Sequence, residues 1–118
     1  MTGSAAAQPA DQALQLRREL AVLRAGARDL AGDYDSTIEL AEHLRARRAA
    51  NGQAVDVDAV LLDLEACIRS APPLLDEVGC GARLAGAELT AAVDRARAEF
   101  DRRIREHLAF ARTGLQNR

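Results

Sequence analysis

Residues 89–115 read LTAAVDRARAEFDRRIREHLAFARTGL, and this stretch decides the fold. Apolar side chains recur in it every three or four residues, with charged side chains at many of the positions between them. That spacing places the apolar residues on one face of a helix with about 3.6 residues per turn. The stripe consists of Leu89, Val93, Ala96, Phe100, Ile104, Leu108, Ala111 and Leu115. We therefore predict a long C-terminal helix from about Arg83 to Thr113.

The same stretch carries opposite charges four residues apart, which places each pair on adjacent turns of a helix. An exposed pair of this kind stabilises a helix by ~0.2–0.5 kcal/mol at low salt. The pairs are Arg95–Glu99, Glu99–Arg103, Asp101–Arg105 and Arg102–Glu106. This charge pattern is typical of a long helix with one side facing solvent.

A second apolar seam lies nearer the N-terminus, and its steps of four and three residues match the spacing of a coiled coil. Its members are Leu16, Leu20, Leu23, Ala27 and Leu30. Pro9 suits the first turn of its helix. The run GDYDS at 32–36 interrupts the helix, although the apolar seam continues in register beyond it. Residues 10–50 therefore form either two helices, the second over about 36–50, or one kinked helix.

Capping signals mark both ends of that second helix. Ser36 with Glu39 fits a capping box, and Asp35 is a second candidate for the N-cap. Asn51 and Gly52 fit the C-terminal end, because glycine takes the left-handed backbone conformation at little cost. The connection to the next helix is therefore predicted to begin at this pair.

A third helix is predicted to start at Asp56 or Asp58, either of which can serve as its N-cap. Its apolar residues again step by four and three: Val57, Leu61, Leu64, Ile68, Ala71, Leu75 and Val78. Pro72-Pro73 falls inside this pattern, and a proline in a helix interior costs about 3 kcal/mol or more. We therefore end the third helix near Arg69 and predict a short helix over 72–78.

These elements predict an all-α fold, an antiparallel bundle of three to five helices with coiled-coil-like packing and a long C-terminal helix. Residues 1–9 are predicted to be a flexible tail, and 10–117 a single helical-bundle domain. Alanine contributes 26 of the 118 residues, and the chain has no Trp, one Tyr and two Phe. Because alanine buries little area, the core is thin for a chain of this length.

Charge and composition exclude several classes of protein. The 16 basic residues, all arginine, face 18 acidic ones, so the net charge of −2 gives no overall attraction to nucleic-acid phosphates. Arginine without lysine points to a GC-rich bacterial genome. The sequence contains neither a secretory-signal pattern nor 18 consecutive apolar residues. Two cysteines, Cys67 and Cys80, make no disulfide framework in a chain of this size. We therefore expect a cytoplasmic protein that does not bind membranes.

The two histidines, at 43 and 107, are the natural candidates for a metal site or a catalytic base. Glu39 and His43 share a helix face, but the adjacent Glu42 points about 100° away from it. His107 has Arg103 four residues back, whose charge would repel a cation. The Glu-x-x-His pattern of di-iron bundles is missing. We expect no catalytic, cofactor-binding or metal-binding residues.

The remaining interpretation is a non-enzymatic protein–protein interaction module: an assembly subunit, an adapter or a small chaperone. It would act through apolar helix faces that a thin core does not fully use, most simply as a homo-oligomer. The residues expected to meet a partner are Leu16, Leu20, Leu23, Leu30, Phe100, Ile104 and Leu108.

Two alternatives stay open. A nucleic-acid-associated regulator would use the arginine clusters at 45–48 and 95–112, although no aromatic residues are interleaved there for stacking on bases. A small metal- or redox-responsive protein would use the histidines for a metal, or a disulfide between Cys67 and Cys80 for redox sensing.

Overall fold

The computed structural model describes residues 9–30, 32–71 and 83–117. Four helices form within these ranges: α1 (Pro9–Asp29), α2 (Tyr34–Ala50), α3 (Val57–Ser70) and α4 (Gly86–Gln116). The predicted all-α helical bundle with a long C-terminal helix is therefore confirmed. No helix in the described ranges is both long enough and apolar enough to cross a membrane.

The stretch 10–50 forms two helices, which settles the choice that the sequence left open. α1 ends at Asp29, and Gly32 takes a backbone φ of 82° that favours glycine. The N-cap of α2 is Asp33, whose Oδ1 accepts a hydrogen bond from Ser36 N at 3.2 Å. The N-cap prediction of Ser36 or Asp35 was therefore wrong, because α2 begins two residues before Ser36 and the earlier aspartate reaches the free amide.

The turn from α2 to α3 follows the sequence signals. Gly52 has a φ of 70°, and its amide donates to the carbonyl of Ala49 at 3.1 Å. Asp56 caps α3, with its Oδ2 accepting from Ala59 N at 3.2 Å. α3 ends at Ser70, one residue beyond the expected end.

α4 begins at Gly86, three residues later than predicted, and extends three residues further, to Gln116. The predicted tail up to residue 8, the predicted short helix 72–78 and Cys80 lie outside the described residues.

The chain divides into two compact units, and α4 contributes to both. Unit 1 comprises Met1–Arg28 and Pro73–Phe100, and its described part consists of α1 and the first half of α4 with the residues just before it. In its core, buried residues of α1 and α4 pack together with half-buried neighbours such as Leu16 and Leu23. The buried members of this cluster are Leu20, Leu89, Ala92, Val93 and Ala96.

Unit 2 comprises Asp29–Pro72 and Asp101–Arg118, so α2, α3 and the second half of α4 form its core. α3 and α4 run antiparallel there, since Asp58 pairs with Arg112 while Arg69 pairs with Asp101. The buried residues of this core are Ala41, Leu44, Val60, Leu61, Leu64, Ala111 and Leu115. The prediction of a single domain over 10–117 stays a prediction.

Candidate interaction face on unit 2

Most of the residues expected to meet a partner contribute to the protein's own packing. Leu20 and Ile104 have no exposed surface. Leu16 and Leu23 are partly buried against the unit 1 core. Leu108 is partly buried against the unit 2 core.

Phe100 and Leu30 are also half-buried. A partner that binds the folded chain must therefore rely on other apolar side chains, or on the exposed edges of these.

Leu62 on α3 is the most exposed large apolar side chain among the described residues, with 70% of its surface accessible. The others are accessible to between 36% and 46%: Leu14, Val22, Leu40, Val55 and Phe110. The 4-3 spacing does not include Leu62, because this residue lies beside the seam residues Leu61 and Leu64. The available signal was the doubled leucine at 61–62, since a helix packed on one side needs only one of the two.

Leu62 borders a shallow groove of about 460 Å³ between α3 and α4. Leu61 and Leu62 line it from α3, and Leu108 and Ala109 line it from α4. Charged residues close the rest of its rim: Asp58, Glu65 and Arg112. An apolar floor with a charged rim is the usual arrangement of a protein-binding patch.

Two stripes of residues, each of which contributes to the lining of this groove, follow the same 4-3-4 spacing. The α3 stripe is Asp58, Leu62, Glu65 and Arg69. The α4 stripe, read in the opposite chain direction, is Arg112, Leu108, Arg105 and Asp101. Asp58 pairs with Arg112 and Arg69 pairs with Asp101. Because the spacing is the same on both helices, this register sets Leu62 level with Leu108 and Glu65 level with Arg105. We call these eight residues, with Ala109, the α3–α4 face.

Ion pairs connect the two stripes at both ends of the α3–α4 face. Arg112 Nη2 donates to Asp58 Oδ1 at 2.6 Å, and Arg69 Nη1 donates to Asp101 Oδ1 at 3.0 Å. Arg69 Nε also donates to Glu65 Oε2 at 2.8 Å. The hydrogen bonds to Glu65 and to Asp101 raise the pKa of Arg69 above its ordinary value. All of these charges keep exposed surface, from 34% of the Asp101 side chain to 76% of that of Asp58.

A buried histidine joins α2 to α4 inside unit 2. The imidazole of His107 is 1% exposed, and its Nε2 lies 2.5 Å from the carbonyl oxygen of Leu30. Its Nδ1 lies 2.7 Å from Thr37 Oγ1, and that hydroxyl lies 3.2 Å from the carbonyl of Asp33. Because a carbonyl only accepts, Nε2 must carry a hydrogen. A neutral imidazole is therefore the Nε2–H tautomer, and its Nδ1 competes with the Asp33 carbonyl for the single hydrogen of the Thr37 hydroxyl.

Aromatic contacts complete the surroundings of His107. The ring of Tyr34 stacks on the imidazole with centroids 4.5 Å apart, and Phe110 contacts Tyr34 with centroids 4.8 Å apart. Both ring nitrogens of His107 are occupied by hydrogen bonds within the protein. The histidine therefore orients the start of α2 on α4, a role that its position in the sequence did not reveal.

The other residues considered for metal or redox chemistry lie apart. Glu39 and His43 are both exposed on α2. Within the described residues, no three His, Cys, Asp or Glu side chains lie close enough to hold a metal ion. Cys67 is a half-buried free thiol next to the unit 2 core.

Several of the arginines considered for nucleic-acid binding are paired with acceptors of the protein. Arg48 donates to Asp63 Oδ2 at 3.0 Å and to the Ala54 carbonyl at 2.6 Å, which fixes the turn between α2 and α3. Arg97 pairs with Glu19 across unit 1. Arg102 pairs with Glu106 along α4 at 2.7 Å.

Comparisons with protein-family models, curated proteins and solved structures gave no match to this chain. Function is therefore inferred from the chemistry of the described residues, and above all from the α3–α4 face.

Proposed function

We propose that the protein is a non-enzymatic protein-binding module that acts through the α3–α4 face of unit 2. The single observation that supports this is Leu62, a large apolar side chain that is 70% exposed beside a groove lined by Leu61, Leu108 and Ala109. Scattered exposed leucines need no explanation, but one that adjoins an apolar groove with a charged rim favours a contact surface.

The energetics support the same choice of residue. Full burial of a leucine side chain is worth ~1.5–3 kcal/mol, and most of the Leu62 side chain is still available for burial. In protein interfaces an apolar centre of this kind is surrounded by a polar rim. The mixed charges of the rim would select the partner's orientation and register more than its affinity.

The proposal is tested by replacing Leu62 with glutamate and comparing the proteins captured from extracts of the source cells. Leu62→Glu should retain the fold, because the side chain is mostly exposed, and should lose the proteins that the wild-type chain captures. Leu14→Glu on α1 is the matched control, since Leu14 is also exposed but belongs to unit 1. Its captured proteins should match those of the wild type.

Circular dichroism and thermal unfolding of both variants establish that the fold is unchanged. Identical captured proteins for Leu62→Glu and the wild type would refute a role of the α3–α4 face in binding.

A further inference from the structure

We propose that the partner of the α3–α4 face is a second copy of this chain, bound by a two-fold axis that runs along the groove. This inference rests on the proposed function, because it names the partner of the same face. The order of charges along the two stripes points to a second copy.

In α3 the stripe reads acid, leucine, acid, base: Asp58, Leu62, Glu65 and Arg69. A partner that matches this stripe must present base, leucine, base and acid at the same positions along the helix axis, which we call levels. The α4 stripe of the chain itself has that order, and the ion pairs of Asp58 with Arg112 and of Arg69 with Asp101 fix the levels.

A two-fold axis parallel to the groove exchanges the sides on which α3 and α4 lie, and it keeps every residue of the second copy at the same level. It therefore lays the α3 stripe of one copy over the α4 stripe of the other, and the same contact occurs twice. Glu65 then meets Arg105 of the second copy, and Asp58 meets Arg112. An axis perpendicular to the helices would instead place α3 against α3 and lose this matching of levels.

The centre of such an interface is apolar. Leu62 of each copy lies over Leu108 and Ala109 of the other, at the level where neither stripe carries a charge. The charged residues surround this centre and retain exposed surface within the chain, so each can contact a second partner. Arg105 is exposed and lies on the stripe between Asp101 and Leu108.

The size of the face sets the expected strength. α3 has 14 residues, which gives a length of about 21 Å at about 1.5 Å per residue. Two adjacent helices about 9 Å apart give a width of about 20 Å, hence about 400 Å² per copy. Stable interfaces bury about 800 Å² per partner. We therefore expect a weak, reversible dimer, with a dissociation constant on the order of tens of micromolar.

Sedimentation velocity of the purified full chain between about 10 μM and 1 mM spans that range. The wild type should pass from monomer to dimer over this series. Leu62→Glu should stay mainly monomeric up to about 100 μM, with its dissociation constant raised at least ~100-fold because two leucines are lost per dimer. Leu40→Glu on α2 is the matched control within unit 2 and should dimerise like the wild type. A wild-type chain that stays monomeric, or a Leu62→Glu dimer of unchanged strength, overturns the inference.

Charge reversal tests the geometry of the axis. Glu65→Arg and Arg105→Glu each place like charges opposite each other twice in a homodimer, so each variant alone should be monomeric. When the two variants are mixed, the arginine introduced at position 65 meets the glutamate introduced at position 105 of the other chain. The native Arg105 and Glu65 of the two chains also meet, so both of these contacts between the chains are restored. Native mass spectrometry with one variant labelled with ¹⁵N should show the heterodimer as the main dimeric species.

Failure of the mixture to form that heterodimer overturns the proposed pairing of α3 with α4. The proposed function is tested separately. If the wild type is monomeric but still captures other proteins in a manner that depends on Leu62, the second-copy inference fails and the binding role of the face remains supported.

Discussion

The two units differ in what specifies their cores. In the described part of unit 1 every buried side chain is apolar, with Leu20, Leu89 and Val93 as its largest fully buried members. Unit 2 buries an apolar cluster as well, but it also buries Thr37 and His107. Apolar packing tolerates sliding and repacking, whereas hydrogen bonds fix one arrangement. The start of α2 is therefore positioned on α4 by hydrogen bonds, whereas α1 is positioned on α4 mainly by the packing of apolar side chains.

The sharpest test of this difference replaces one buried side chain in each unit by alanine. His107→Ala should lower the free energy of unfolding by about 3 kcal/mol or more, because it leaves a cavity and removes the partners of Thr37 and of the Leu30 carbonyl. Leu20→Ala should lower it by about 2–5 kcal/mol through the cavity alone. Urea unfolding followed by circular dichroism measures both values.

Variants that refill the cavity then separate the contribution of packing to stability from that of hydrogen bonding. Leu20→Met should recover most of the lost stability, since such swaps usually cost below about 1.5 kcal/mol. His107→Phe refills the space without restoring the hydrogen bonds, so it should recover much less. A His107→Phe protein as stable as the wild type would remove the distinction between the two units.

The next largest effect concerns the hydroxyl that His107 contacts. Thr37→Val should lower the free energy of unfolding by about 1–2 kcal/mol, because Nδ1 of a buried imidazole loses the hydroxyl that is its hydrogen-bond partner among the described residues. Chemical denaturation of the variant gives the value, and ¹⁵N chemical shifts of the imidazole in the wild type check the Nε2–H tautomer.

Thr113→Val is the control for that experiment. Thr113 Oγ1 donates to the carbonyl of Ala109 at 3.2 Å, but the residue is exposed, so the change should be below about 0.5 kcal/mol. Equal losses at the two threonines would mean that the contact with His107 contributes nothing to the stability of unit 2.

What the sequence could predict divides in the same way, into apolar packing and hydrogen bonds between distant residues. Periodicity predicted the helices and most of the apolar core, since those signals repeat within a few residues of each other. His107 was interpreted through its neighbours on α4, whereas its partners Thr37 and Leu30 are 70 and 77 residues away. The match between the α3 and α4 stripes was likewise hidden, because it depends on the level at which two antiparallel helices align. The spacing of residues along one helix does not show at which level a second helix lies beside it.

Close packing at glycine gives a smaller contrast between the units. A Cβ atom added at Gly26 in unit 1 would lie 2.7 Å from Cε1 of Phe100, whose flat ring must move as a whole. One added at Gly114 in unit 2 would lie 3.2 Å from Cδ1 of Ile38, the end of a flexible side chain. Alanine improves helix propensity by up to about 1 kcal/mol at both sites.

At Gly26 the overpacking term, typically ~1–3 kcal/mol, should exceed that gain, so Gly26→Ala should destabilise the protein by about 1 kcal/mol. Gly114→Ala should be neutral or slightly stabilising. Thermal unfolding of the two variants side by side decides the sign at each position. A stabilising Gly26→Ala would show that Phe100 moves freely and that unit 1 is less tightly packed than the contact distances indicate.

The smallest expected effects are those of the exposed ion pairs that link helices in each unit: Arg69 with Asp101 in unit 2, and Arg97 with Glu19 in unit 1. All four side chains keep between 34% and 48% of their surface exposed, so Arg69→Met and Arg97→Met should each cost below about 1 kcal/mol, less still in 0.5 M salt.

The pH dependence of the Arg69 contribution follows from its raised pKa. A raised folded-state pKa gives stabilisation that is complete below the pKa of the unfolded chain and is lost only as the pH rises through the folded value. For an arginine both lie far above neutral, so the difference in unfolding free energy between wild type and Arg69→Met should stay constant from pH 6 to pH 9. A difference that changes across this range would mean that the substitution acts through another titrating group of unit 2.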